Sequence, residues 1–279
     1  MGDDYEKKIF GSTGCVYDFF GNILGCSSGE KEKLISEAVV SETTVPETDE
    51  EEKVADKISE EEKDTRPEKE YVELTVEYTV LPDGEAEVTG YSGKGNRATI
   101  DSKYEGNRVI RIAESAFEDC STLEAVLFWA DIEEIGDSAF KNCTALEEVD
   151  IPGETNYIGA HAFENCAALT HLIIWGNSDI GDYAFASCHN IEEISISGKT
   201  KSVGAHAFEN CTGATSLIIW GAESIGDYAF AGCIGIQEVD FPHNVISVGA
   251  HAFDGCTGLT SVMVWDDDTE FGKNAFLDS

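Results

Sequence analysis

Seven of the chain's nine cysteines stand at one offset, three residues after a phenylalanine: Cys120, Cys143, Cys166, Cys188, Cys211, Cys233 and Cys256. Evenly spaced thiols suggest either metal ligation or disulfides. Copies stacked as neighbouring strands would lie ~4.8 Å apart with equivalent side chains parallel. Their Cβ atoms would then sit outside the ~3.5–4.5 Å that a bridge usually needs. No Cys-x-x-Cys occurs, and seven is an odd number. The pattern predicts buried free thiols acting as small apolar residues. Two residues before the phenylalanines, His161, Tyr183, His206, Tyr228 and His251 alternate. The three histidines would be two coils apart, about 10 Å at the strand spacing, whereas zinc needs each ring nitrogen at ~2.0–2.1 Å. A His/Tyr stacking ladder is expected, with no metal and no cofactor. Asp266-Asp267-Asp268 with Glu270 could gather a hard cation, but a solvated loop is the preferred reading. Ser, His and Asp residues elsewhere occupy repeat and loop positions, and no triad or phosphate loop stands out. No catalytic residue is assigned, and the chain is read as non-enzymatic.

The other candidate chemistry is recognition. All four tryptophans lie twelve residues after a phenylalanine, in every second copy: Trp129, Trp175, Trp220 and Trp265. The copies between carry Pro152, Ser197 and Pro242 there. Two residues earlier, Leu127, Ile173, Ile218 and Met263 alternate with Asp150, Ser195 and Asp240. Glu148, Glu193 and Glu238 stand two further back. An outward strand face should be polar when one side is buried, so apolar pairs alternating with acids need a reason. Either each tryptophan folds over its neighbour as a cap, or the eight apolar residues form a ligand-binding strip.

Composition narrows the partner. With 55 acidic and 18 basic residues the formal charge is −37. Nucleic acid is excluded, because affinity there comes from Lys and Arg displacing phosphate counterions. No apolar run is long enough for a transmembrane helix. Residues 1–29 form a leader in which Ile23-Leu24-Gly25-Cys26 resembles a bacterial lipobox, with Lys7 and Lys8 as its charged region. Cys26 is therefore a lipidation candidate, although Asp18 and Asn22 interrupt the apolar stretch of an export signal. Residues 30–70 hold 16 acids, seven basic residues and no aromatic residue before Tyr71. Such a tract cannot offset roughly 1–2 kcal/mol per residue of backbone ordering, and reads as a disordered acidic tether.

These residues must be positioned by a repeat. Phe117, Phe140, Phe163, Phe185, Phe208, Phe230, Phe253 and Phe276 recur every 22–23 residues. Five before each is an apolar residue, and nine and eleven after each of the first seven are apolar. Each copy reads as a short helical turn (Ala-Phe-x-x-Cys), a link and a brief strand, and cannot bury its apolar side alone. Upstream, alternation from Val72 to Val80 around Pro82-Asp83-Gly84 predicts a hairpin, and a second strand pair is expected near Arg97–Ile100 and Arg108–Ile112.

The motif Ile-Gly-x-x-Ala-Phe-x-x-Cys-x-x-Leu-x-x-Val-x-Ile is similar to that of BspA-like leucine-rich repeats. The resemblance implies an α/β repeat solenoid, a right-handed leucine-rich coil with short parallel strands. A β-rich N-terminal cap over 71–111 precedes about seven to eight coils over 112–279. It also implies an extracellular or cell-surface module, used in adhesion or binding of a protein or glycan through the concave strand face. The alternative is a structural spacer or self-associating subunit, joined through the uncapped C-terminal coil.

Overall fold

The computed structural model describes residues 70–174, 178–196 and 199–279, and the backbone of three short strands nearer the N-terminus. By contacts the chain divides into Met1–Glu70 and Tyr71–Ser279. In the first unit, β1 (Ile9–Phe10), β2 (Cys15–Tyr17) and β3 (Ile23–Cys26) form an antiparallel sheet in which Cys15 and Cys26 are register partners. The tether expected over 30–70 lies outside the described residues, save Glu70.

The second unit is a β-solenoid whose parallel strands, numbered along the chain, form two ladders. The first contains β6 (Arg97–Ile100), β9 (Ala125–Phe128), β11 (Glu148–Ile151), β13 (His171–Ile174), β15 (Glu193–Ile196), β17 (Ser216–Ile219), β19 (Glu238–Phe241) and β21 (Ser261–Val264). The second contains β8 (Asn107–Ile112), β10 (Glu134–Ile135), β12 (Tyr157–Ile158), β14 (Asp179–Ile180), β16 (Ser202–Val203), β18 (Ser224–Ile225), β20 (Ser247–Val248) and β22 (Glu270–Phe271). Between the ladders runs the Ala-Phe-x-x-Cys turn, which also bonds coil to coil: Phe117 N donates to Ala139 O at 2.7 Å, and Phe140 N to Ala162 O at 2.7 Å.

The expected helical turn does not form, and among the described residues there is no helix. The α/β class is thereby corrected to a β-solenoid. The cause is local: residues two before and two after each phenylalanine have positive φ, as in Ser115 (57°) and Asp119 (62°), or His161 (58°) and Asn165 (61°). A right-handed helix needs an unbroken run of negative φ, and here at most three residues separate the interruptions. Asp, Asn, Ser and Gly fill the second of these positions, residues that mostly tolerate the left-handed region.

The coils approach closely. A Cβ on Gly204 would lie 2.5 Å from Gly181 C and 2.6 Å from Asp182 N, and the same holds along the row from Gly136 to Gly272. The eight phenylalanines stack as one column, with ring centroids 4.9–5.3 Å apart. At its N-terminal end Tyr91 continues the column, 5.6 Å from Phe117. Tyr91 belongs to β5 (Ala86–Ser92), which forms a hairpin with β4 (Thr75–Val80) and runs parallel to β8. The strands expected as a second pair, β6 and β8, do not pair with each other. β6 joins β9 in the first ladder, whereas β8 joins β10 and β5 in the second, with β7 (Lys103–Tyr104) antiparallel to it.

Candidate functional site

Strands of the first ladder associate in twos. β11 and β13 share four register pairs, as do β15 with β17 and β19 with β21. Between these pairs the ladder is nearly or fully interrupted: β9 meets β11 at Glu148↔Ala125, and β13 with β15 and β17 with β19 belong to separate sheets. The tryptophan position accounts for the interruptions between β9 and β11 and between β17 and β19, but not for that between β13 and β15, where the intervening residue is Ser197. Trp129 N donates to Ile100 O, Trp220 N to Ile196 O and Trp265 N to Phe241 O, at 2.9–3.0 Å. In the intervening coils Pro152 and Pro242 have no N–H to make the equivalent bond. The repeating unit of this face is therefore a pair of coils, an acidic one followed by a tryptophan one.

On this face Leu127 (40% exposed), Trp129 (70%), Met263 (47%) and Trp265 (56%) are open to solvent. Ile173, Ile218 and Trp220 are half-buried, and Trp175 lies outside the described residues. Register places Asp150 beside Ile173, Ser195 beside Ile218, and Asp240 beside Met263. Burial pushes the Asp150 carboxyl up, the like charge of Glu148 adds to this, and His171 opposes it. The sequence located these rows, while the unequal exposure along them depends on neighbours that sequence does not list.

The cysteine row is internal. All seven repeat cysteines are free and buried. Cys143 Sγ donates to Phe117 O at 3.2 Å and Cys188 Sγ to Phe163 O at 3.1 Å, each reaching the preceding coil. Burial pushes the Cys143, Cys166 and Cys211 thiols well up, and that of Cys256 to about 12. The histidine row is a stack: His161, Tyr183, His206, Tyr228 and His251 follow one another at 4.4–5.0 Å, with planes within 6°. Each histidine Nδ1 meets an acid three residues on, Glu164, Glu209 or Asp254, at 2.8–2.9 Å. Among the described residues no group of three His, Cys, Asp or Glu side chains could hold a metal ion. Asp266 Oδ1 accepts from Asp268 N at 3.1 Å within an exposed turn.

Sequence reasoning missed a cleft of about 340 Å³ on the second ladder, lined by Glu87, Arg111, Glu114, Glu134, Asp137 and Tyr157. Its residues come from β5, β8, β10 and β12 and the turns after β8 and β10, and share no motif. It also missed the role of Asp137, Asp182 and Asp227, whose Oδ1 atoms accept from the backbone N of Ala160, Ala205 and Ala250 at 2.6–2.8 Å. Their 45-residue spacing was the available signal.

Stacked short coils, a continuous phenylalanine column and parallel ladders define a leucine-rich solenoid. The chain belongs to the BspA type leucine-rich repeat family, whose model matches in six copies over residues 99–215 and 178–279. It is similar in structure to a leucine rich cell surface protein from Faecalibacterium prausnitzii A2-165, at 26% identity and a TM-score of 0.63, over 69% of this chain and 54% of that one. The chain thus spans about half the length of that protein. The T. pallidum leucine rich repeat protein shares the fold at 24% identity and a TM-score of 0.56, over 73% of this chain and 86% of that one. No curated protein matches. Among the described residues no helix is long and apolar enough to cross a membrane.

Proposed function

We propose that the chain is a non-enzymatic, surface-displayed interaction module that binds a protein or glycan through the outward face of the first ladder. One observation carries this: Leu127, Trp129, Met263 and Trp265 are exposed at outward positions that should be polar on a one-sided sheet. Aligned large apolar side chains on a soluble surface mark interaction sites, and tryptophan is enriched where binding energy concentrates. Surface display is supported by the description of the Faecalibacterium neighbour as a cell surface protein, with Cys26 as the proposed lipid attachment. The experiment captures partners from surface proteins and glycans with the full chain and with a Trp129→Ala, Trp265→Ala variant. Binding should weaken by about 2–4 kcal/mol, the hot-spot range, with the melting temperature nearly unchanged. Unaltered binding sinks the strand-face reading, and a large loss of stability makes the tryptophans structural caps.

A second reading, self-association through the last coil, has its own observation. Val262, Val264 and Phe271 are exposed, whereas their counterparts Val239, Phe241 and Val248 are buried. Sedimentation over a wide concentration range tests it, and a monomer throughout refutes it.

A further inference from the structure

We infer that the strand face takes a basic, proline-rich peptide in the polyproline II conformation, laid across the strands so that one peptide turn spans one pair of coils. This rests on the strand-face reading above and adds the class of ligand. The first argument is period. Tryptophans recur every second coil, and two strand spacings advance about 9.6 Å. Three residues of polyproline II advance about 9.3 Å, close to that two-coil step, and the stacked rings lie 4.4–5.3 Å apart from coil to coil. An extended strand presents the same face every ~6.6–6.8 Å and falls out of phase at once.

The second argument is chemistry. Trp129 and Trp265 are exposed and Trp220 is half-buried, so indole surface stands along the row where a proline ring can pack. Proline-rich segments dock on aromatic-lined grooves because their conformation is already formed and little entropy is lost. The third argument is charge. Between the tryptophan strands lie Glu148 with Asp150, Glu193, and Glu238 with Asp240. From Ala125 to Trp265, no lysine or arginine occupies the three outward rows at eight, ten and twelve residues after each phenylalanine; His171, opposite Glu148, is the nearest to a cation. Such a face selects cationic side chains and repels anionic ones. A neutral polymer of similar period would leave these carboxylates without a counter-charge.

The test titrates the full chain, by tryptophan fluorescence and calorimetry, with peptides of about 12 residues, enough at ~3.1 Å per residue to reach from the Trp129 coil to the Trp265 coil. A repeating Pro-Pro-Arg peptide should bind about tenfold or more tightly than one of equal composition with its arginines in a block, a difference of about 1.4 kcal/mol. A Pro-Pro-Glu repeat should not bind. The Asp150→Asn, Asp240→Asn variant, which leaves the buried rows untouched, should lose about tenfold for the arginine peptide and much of its salt dependence. Equal binding of phased and blocked peptides, or no binding of either, overturns the inference. A β-linked hexose oligosaccharide that quenches tryptophan where the peptides do not also overturns it, while leaving the strand-face reading intact. Should a Trp220→Ala, Trp265→Ala variant that still folds bind the phased peptide as before, both the inference and the strand-face reading fall.

Discussion

Gly204 has no room for a methyl group, because its Cβ would meet the backbone of Gly181 and Asp182 at 2.5–2.6 Å. Neither neighbour can yield without shifting a whole coil. Gly204→Ala should therefore destabilise by about 2–4 kcal/mol, against less than about 1 kcal/mol for Gly90→Ala, where the nearest atom stands at 3.7 Å. Thermal unfolding of the two variants checks this, and equal melting points would refute the close approach. Asp150 offers a test of sign. Its folded carboxyl is raised by burial and by Glu148, so the folded state binds its proton more readily than the unfolded state does. Its effect on stability is absent below the unfolded value and becomes unfavourable as pH rises past it. Asp150→Asn should thus be slightly stabilising at pH 7 and neutral at pH 3. The gain should be a few tenths of a kcal/mol, since the residue is exposed.

The strand pair is the unit at the next scale. Amides of β15 and β19 that face back toward β13 and β17 lack the four-pair register found within each twin. They should exchange with solvent sooner than amides of β13 and β17 facing back toward β11 and β15. Hydrogen exchange resolved by residue measures this, and uniform protection would show a continuous ladder. Much of this element was legible beforehand: the 22–23-residue period, the inward pair at nine and eleven, and the alternation of Trp with Pro all stand in the sequence. The helix was misread because Ala-Phe-x-x-Cys has helical spacing. What forbids it is positive φ at positions such as Tyr183 or Ser115, residue types that do not advertise a left-handed backbone. The cost of bulky residues there, roughly 1–2 kcal/mol each, is offset by stacking of about 0.5–1.5 kcal/mol per ring pair. That compensation depends on the next coil and so is invisible within one copy. The candidate strip was legible as rows, as was the uncapped last coil, whereas the unequal exposure along the strip was not.

For the repeat unit as a whole, the buried thiols make stability depend on alkaline pH. Thiols in the unfolded chain ionise near ~8.5, while burial holds those of Cys143, Cys166, Cys211 and Cys256 well above this. The folded state keeps protons that the unfolded state releases, so stability is full below about pH 8.5 and declines above it. Each such thiol costs about 1.4 kcal/mol per pH unit until its folded value is reached. Denaturant midpoints at pH 7 and pH 10 should differ strongly, and Cys211→Ala should reduce the difference while lowering stability at pH 7. A pH-independent midpoint would mean that the thiols are not shielded.

Because acidic and tryptophan coils alternate, the array has a grammar of length. Excising one coil would set two coils of the same kind side by side and shift every later row out of step with the earlier ones. It would also put the proline that ends one twin against the wrong strand. Excising two consecutive coils, about 45 residues, would restore every contact type across the join, from the aspartate that caps Ala205 to the indole rows. Such proteins should grow and shrink by doublets, and a library of internal deletions should yield folded chains at two-coil steps with gaps between them.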